Sequence, residues 1–336
     1  MNGFKIYNHK TIEGLFTKRE GETKFGEKLG FIESLDELEK SNAKYVLFGI
    51  PEDIGVRANL GKPGAANAWK ACLKSLLNVQ ANQYTKPENL ILLGEVECSN
   101  LMTKAANIDE ADPNFLVKLG DLVQTLDEVV SELVKRIILA GKIPIIIGGG
   151  HNNAYGNIKG TFQALKKPVN IINIDAHTDL RKLEHRHSGN GFSYARNDQY
   201  MAKYRIFGLH QNYTPEYIFE EMNVSQKEQY RLFEHLMLLS SQEIIKSFRE
   251  ELEFVLNDDF GLELDCDAIR EFPSSAQSPS GFSFNMIRNF IKIASEEENI
   301  RYLHICEAAP NSQTETKVGK ALSYLITEFL NAETNG

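Results

Sequence analysis

The sequence predicts a three-layer α/β/α protein built on a mostly parallel sheet. Two observations carry this. Short, β-rich apolar runs recur along the chain as continuous stretches rather than alternating ones, which is the pattern of strands covered on both faces. Amphipathic helical stretches separate them, and strands that alternate with helices form parallel βαβ units. The runs are 45–50 (YVLFGI), 90–96 (LILLGEV), 143–149 (IPIIIGG), 169–175 (VNIINID), 204–209 (YRIFGL), 236–240 (LMLLS), 260–265 (FGLELD) and 302–306 (YLHIC). The longest helical pattern, 114–141, repeats apolar residues at three- and four-residue spacing and ends at Gly141, a residue suited to a C-cap. Residues 241–255, 282–298 and 317–332 read as further amphipathic helices. No internal repeat, low-complexity segment or Pro/Gly-rich linker interrupts the series. Residues 1–336 are therefore expected to form a single domain, with 1–40 an N-terminal extension packed on it.

Composition narrows the function. The 336 residues carry 37 Lys+Arg against 46 Asp+Glu, a net charge of −9, with 42% hydrophobic residues. That balance argues against phosphate-backbone binding, which needs clustered cations. No apolar run approaches the ~18 residues of a membrane span, and the opening MNGFKIYNHKTIEGLF has no signal-peptide core. Cys72, Cys98, Cys266 and Cys306 are scattered without a C-x-x-C pair, which suits free thiols in a reducing compartment. A cytoplasmic protein with neither nucleic-acid nor membrane partners is expected.

Ligands of open parallel sheets sit beyond the carboxyl ends of the strands, and here those ends are chemically dense. IPIIIGGG runs into His151; VNIINI runs into Asp175, His177 and Asp179; FGLEL runs into Asp265 and Asp267; YLHIC runs into Glu307. Residues two apart on an extended chain face the same side, so Asp175 pairs with His177 and Asp265 with Asp267. A turn after His177 would return Asp179 to the same point. Buried carboxylates so close repel, and some must take up protons unless cations intervene. Two divalent ions match the four aspartates charge for charge, and His151 and His177 complete the shell as neutral imidazoles. Oxygen-rich ligands with two imidazoles suit Mn²⁺, and two ions about 3.5–4 Å apart can hold a hydroxide between them as nucleophile.

The segments GGGHN (148–152), DAHTD (175–179), LDCD (264–267) and EAAP (307–310) resemble, in order and spacing, the signature regions of the ureohydrolases, the family of arginase, agmatinase and formimidoylglutamase. The resemblance runs from about residue 43 to the C-terminal helix. It implies a three-layer α/β/α fold with eight parallel strands, two Mn²⁺ per subunit, cleavage of an amidine or guanidine C–N bond, and a homo-oligomer, a trimer or hexamer. Carried over, the metal ligands are His151, Asp175, His177, Asp179, Asp265 and Asp267. Glu307 pairs with the planar amidinium, as a carboxylate can with two N–H donors. Asp179, at the metal pair, accepts the proton of the attacking hydroxide.

Within the family, GVRANLGKPGAANA (55–68), GGGHNNAYGN (148–157), DAHTDLR (175–181) and HSGNGF (187–192) look most like formimidoylglutamase. The implied reaction converts N-formimidoyl-L-glutamate into L-glutamate and formamide, a step of histidine degradation; the alternative is a guanidine ureohydrolase releasing urea. A substrate with two carboxylates calls for cations at the mouth, and Arg181 and Arg57 are the candidates, each with the plainer alternative of bracing a loop. Asn190, in the S-G-N segment, joins them as a substrate contact. The sequence departs from arginases and agmatinases in lacking a histidine soon after Ser188-Gly189-Asn190, which leaves His185, His187 and His210 as proton shuttles or ordinary loop histidines. It departs again at Glu263, where the family usually has Ser, and in the segment AIREFPSSAQSPSG (268–281). Ser278-Pro279-Ser280-Gly281 is expected near the substrate or as a helix cap. The apolar stretch 321–330 is expected as core or as an oligomer face.

Overall fold

A computed structural model of the chain describes residues 3–331. Nine strands form one sheet: β1 (Phe4–Ile6), β2 (Tyr45–Gly49), β3 (Leu90–Val96), β4 (Ile143–Ile147), β5 (Val169–Ile174), β6 (Met201–Leu209), β7 (Glu228–Leu232), β8 (Phe260–Asp265) and β9 (Ile300–Cys306). Their order is β1-β3-β2-β4-β9-β8-β5-β6-β7. Eight strands run parallel, and β1 pairs antiparallel on the edge of β3. The expected parallel set of eight is present, with β1 as a ninth, so part of the N-terminal extension joins the sheet.

The parallel strands are apolar on both faces because both faces are covered. Leu47, Ile145, Leu264 and Leu303 pack in one buried cluster, with helices Ala68–Leu76, Ser241–Glu253, Phe284–Ser295 and Glu315–Leu330. Phe48, Ile146, Ile171 and Ile206 belong to a second, with helices Phe115–Leu139, Asn153–Leu165 and Gly191–Asn197. The longest helix stops where the sequence indicates: Gly141 takes φ +72° and donates to Ile138 O. Leu322, Leu325, Ile326 and Phe329 are buried, so most of 321–330 is core.

One expected strand is misplaced. Residues 236–240 are not a strand; Met237, Leu238 and Leu239 are exposed and lead into Ser240, which caps the helix Ser241–Glu253. The strand is β7 instead, whose sequence EQYRL is half-buried throughout. An edge strand keeps contact with water, so it lacks the apolar run that marks the central strands.

A buried ion pair fixes the loop 185–190 beside the strand ends. Arg186 Nε and Nη2 donate to the two carboxylate oxygens of Asp127 at 3.0 and 3.1 Å, tying the loop to the helix Phe115–Leu139. Its remaining donors reach Asn190 Oδ1 and Asn152 O, and Tyr155 and Tyr194 flank the guanidinium. Arg186 and Asp127 are 1% and 2% exposed, so neither charge has water to turn to. Asp127→Ala would strand a buried guanidinium and is expected to destabilise the fold by about 3–5 kcal/mol. Urea unfolding tests this; a loss below about 1 kcal/mol would place the pair among ordinary surface bridges.

Candidate metal and amidine site

The strands that carry the seven ionisable residues are neighbours, β4-β9-β8-β5, at the centre of the sheet. Their carboxyl ends therefore bring the seven together. His151 Nδ1 lies 2.8 Å from Asp179 Oδ2, 3.2 Å from Asp265 Oδ2 and 3.3 Å from Asp175 Oδ2. His177 Nδ1 lies 3.5 Å from Asp175 Oδ1 and 4.0 Å from Asp267 Oδ2. Asp175 thus lies within reach of both histidines, and Asp265 within reach of His151. Each also accepts the backbone N–H two residues on, from His177 at 2.7 Å and Asp267 at 2.6 Å, which sets the i, i+2 pairs in register. Asp179 (φ +48°) and Glu307 (φ +59°) adopt the left-handed region, where a non-glycine residue costs of order 1–3 kcal/mol.

The charges are out of balance without cations. Burial raises the carboxyl pKa of Asp265, and Asp175 and Asp267 beside it raise it further. Asp179 and Asp267 are raised by burial as well. Burial opposes a charge on His177, but the hydrogen bond to Asp175 and the surrounding carboxylates lift it to about 10. His151 is 1% exposed, yet neither ring nitrogen has a hydrogen-bond partner. Ligand atoms of His151, Asp175, Asp179 and Asp265 lie within 4.8 Å of one another. An orphaned imidazole inside a ring of carboxylates fits a divalent cation, and His177, 3.5 Å from Asp175 and 4.0 Å from Asp267, offers the donor types for another.

Glu307 closes one side. Its Oε1 accepts the His151 N–H at 2.7 Å, while Oε2 is buried without a partner. Burial, then the neighbouring Asp267, pushes its carboxyl up to about 8. Ser275 Oγ and Ala276 N hold Asp267 at 3.1 and 2.9 Å.

A cavity of about 190 Å³ opens over these groups, lined by His177, Asp179, Asp265, Asp267, Glu307, Asn59 and Ser188, with the exposed Arg181 and Tyr213 at its mouth. Arg181 is exposed and makes no ion pair among the described residues. The structure does not bring the other two expected substrate contacts into this cavity. Arg57 turns away and donates to Ala105 O at 3.1 Å. Asn190 is fully buried, with its amide consumed by Arg186, the His187 N–H and His185 O. Ser278 and Ser280 bond to each other, and the helix Phe284–Ser295 is capped by Ser283, so Ser278–Gly281 neither lines the cavity nor caps the helix.

The three loose histidines separate clearly. His185 Nε2 sits 3.0 Å from Ala58 O. His187 accepts from Gly189 N through Nδ1 and meets Glu184 through Nε2, and burial lowers it to about 4. His210 is stacked between Phe233 and Tyr213, and its Nε2 has no partner. Tyr213 also packs against His177, with ring centres 5.2 Å apart and planes tilted by 36°.

Sequence reasoning missed Glu52. Fully buried, it accepts from the N–H groups of Ile54 and Gly150 and from the side chains of Asn152 and Asn153. It thereby fastens the Gly148–His151 turn, and a Cβ at Gly149 would lie 2.7 Å from its Oε1 and 2.2 Å from Asn153 Nδ2. The signal was present: Glu52 follows the run 45–50, as the other site carboxylates follow theirs.

The described residues contain no helix long and apolar enough to cross a membrane. Comparison with known proteins agrees with the geometry. The model of the arginase family matches residues 43–331. The formimidoylglutamase of Salmonella arizonae is 35% identical over 147 residues, which cover 44% of this chain and 40% of that protein, so the match spans under half of that relative. The solved structure of formimidoylglutamase from Bacillus subtilis superposes with a TM-score of 0.73 at 17% identity, covering 94% of this chain and 93% of that one. Trypanosoma cruzi formiminoglutamase, solved with Mn²⁺, gives 0.72 at 15% identity over 93% and 99% of the two chains. With the motifs, the sheet order and a family match across nearly all of its length, the chain belongs to the arginase family.

Proposed function

We propose that the chain hydrolyses N-formimidoyl-L-glutamate to L-glutamate and formamide at a pair of Mn²⁺ ions held by His151, Asp175, Asp179 and Asp265 on one side and by His177, Asp175, Asp265 and Asp267 on the other. One observation carries the reading: the unpartnered, buried Glu307 Oε2 stands beside the His/Asp cluster, while the unpaired cation Arg181 stands at the mouth of the same cavity. A formimidoyl group is a planar cation on an anionic amino acid, and it needs those two partners at opposite ends. The likeness to the formimidoylglutamase of Salmonella arizonae supports this branch over the guanidine branch.

When bound, the ions would lower the pKa of water and stabilise charge developing on the amidine. The chain's own groups do the rest. Glu307 Oε2 accepts an N–H of the amidinium and turns the carbon toward the aspartates. Asp179 takes the first proton of the attacking water and returns it to the departing nitrogen; as the C–N bond breaks and the carbonyl forms, the remaining hydroxyl proton passes to the same nitrogen, so that glutamate leaves as the ammonium form and the carbon leaves as formamide. Arg181 pairs with a substrate carboxylate.

Three outcomes are expected. Offered N-formimidoyl-L-glutamate, arginine, agmatine and 4-guanidinobutyrate, the Mn²⁺-loaded protein should form glutamate and formamide from the first and no urea from the others; urea would move the activity to the guanidine branch. Arg181→Ala should lose a charged hydrogen bond of about 1.5–3 kcal/mol, raising KM roughly ten- to hundred-fold; an unchanged KM would remove Arg181 from substrate binding. His177, held near 10 by Asp175, carries a proton at neutral pH and must release it to accept an ion. Mn²⁺ binding should therefore release protons and tighten as pH rises toward that value. Calorimetry in buffers of different ionisation enthalpy measures the release, and affinity that is flat between about pH 6 and 8 would contradict it.

A further inference from the structure

Behind His151, on the side away from the aspartates, lies a carboxylate that the reaction does not use. Glu263 is fully buried on β8, two residues before Asp265. Its Oε1 accepts from Tyr302 Oη at 2.8 Å. Its Oε2 lies 2.5 Å from His304 Nδ1 and 3.5 Å from the orphaned Nε2 of His151. His304 Nε2 in turn lies 3.3 Å from Gly148 O. A carbonyl only accepts, so His304 must donate through Nε2. Glu263 Oε2 and His304 Nδ1 hold one hydrogen bond between them, so both carboxylate oxygens of Glu263 have a partner.

The chain of contacts begins and ends on one turn. It leaves Gly148, passes through His304 and Glu263, and reaches His151, three residues from where it started. We infer that Glu263 is the positioning residue of His151: its Oε2 accepts the Nε2–H, which leaves the Nδ1 lone pair directed at Asp175, Asp179 and Asp265. The other nitrogen of a metal-binding histidine ordinarily donates to such an acceptor, which fixes the tautomer and ring orientation. The 3.5 Å separation is long for a finished bond, and a cation drawing on Nδ1 would strengthen the Nε2–H as donor and close it. Asp175 has its own support in Asn173, whose amide donates to Asp175 Oδ2 and Tyr204 Oη at 2.9 Å each. The inference rests on the metal-centre reading above.

The test is metal binding, read without turnover. Wild-type protein should take up two Mn²⁺ per chain by equilibrium dialysis and show the electron paramagnetic resonance signature of a coupled pair. Glu263→Gln keeps the shape and removes the charge. It should weaken one of the two ions about 10–100-fold and replace the coupled signal with that of a single Mn²⁺, while the ion at His177 stays. Glu263→Asp keeps the charge and withdraws the oxygens by one methylene, and the same loss is expected, so it decides the matter if the Gln variant does not fold. Wild-type affinity for both ions in either folded variant would overturn the role of Glu263 and leave the metal centre standing. A wild-type chain that binds no Mn²⁺ would overturn both.

Discussion

Repulsion among buried carboxylates is the constraint around which this molecule is organised. Three adjacent strands, β9-β8-β5, deliver Asp175, Asp179, Asp265, Asp267 and Glu307 to one place largely shielded from water. In a low-dielectric setting such groups cannot all stay ionised unless positive charge joins them. The two imidazoles supply part of it, and the donor set is shaped for the remainder to come from cations. The left-handed backbone at Asp179 and Glu307 belongs to the same account. Both residues sit where the chain must turn sharply to aim a carboxylate inward, and the packed sheet beneath holds that strain in place.

The elements around the cluster keep it rigid. Glu52 accepts the Gly150 N–H of the Gly148–His151 turn, and Arg186 binds the 185–190 loop to the longest helix. Both are buried charges with their hydrogen bonds satisfied by several partners rather than one. Removing a single donor from such a network leaves the others in place, whereas removing the charged centre leaves several groups unpaired. The rigid parts are thus also the parts where a single change does most harm.

Much of this was legible in the residues. Continuous apolar runs marked seven of the nine strands, because central parallel strands must be apolar on both faces. The two that escaped, β1 and β7, are the sheet edges, where one side meets water and the pattern fades. The metal-type cluster was readable because each member lies just past a strand end. The mouth was not, because side-chain direction on a loop depends on partners that spacing does not reveal. Arg57 and Arg181 look alike in sequence, yet one meets the carbonyl of Ala105 and the other faces the cavity. Asn190 lies beside the right segment but is spent on Arg186. Glu263 stood out only as an odd residue, and its partner His304 is on another strand.

The cavity draws its inner wall from strand ends and its mouth from loops. Asp265 ends β8 and Glu307 follows directly on β9, whereas Asn59, Arg181, Ser188 and Tyr213 lie on connecting segments. Tyr213 touches His177 across the two sets, whereas substitutions at positions without such a contact need not disturb the other set. A scaffold so divided can change what its mouth admits through a handful of loop changes while the carboxylate cluster beneath stays whole.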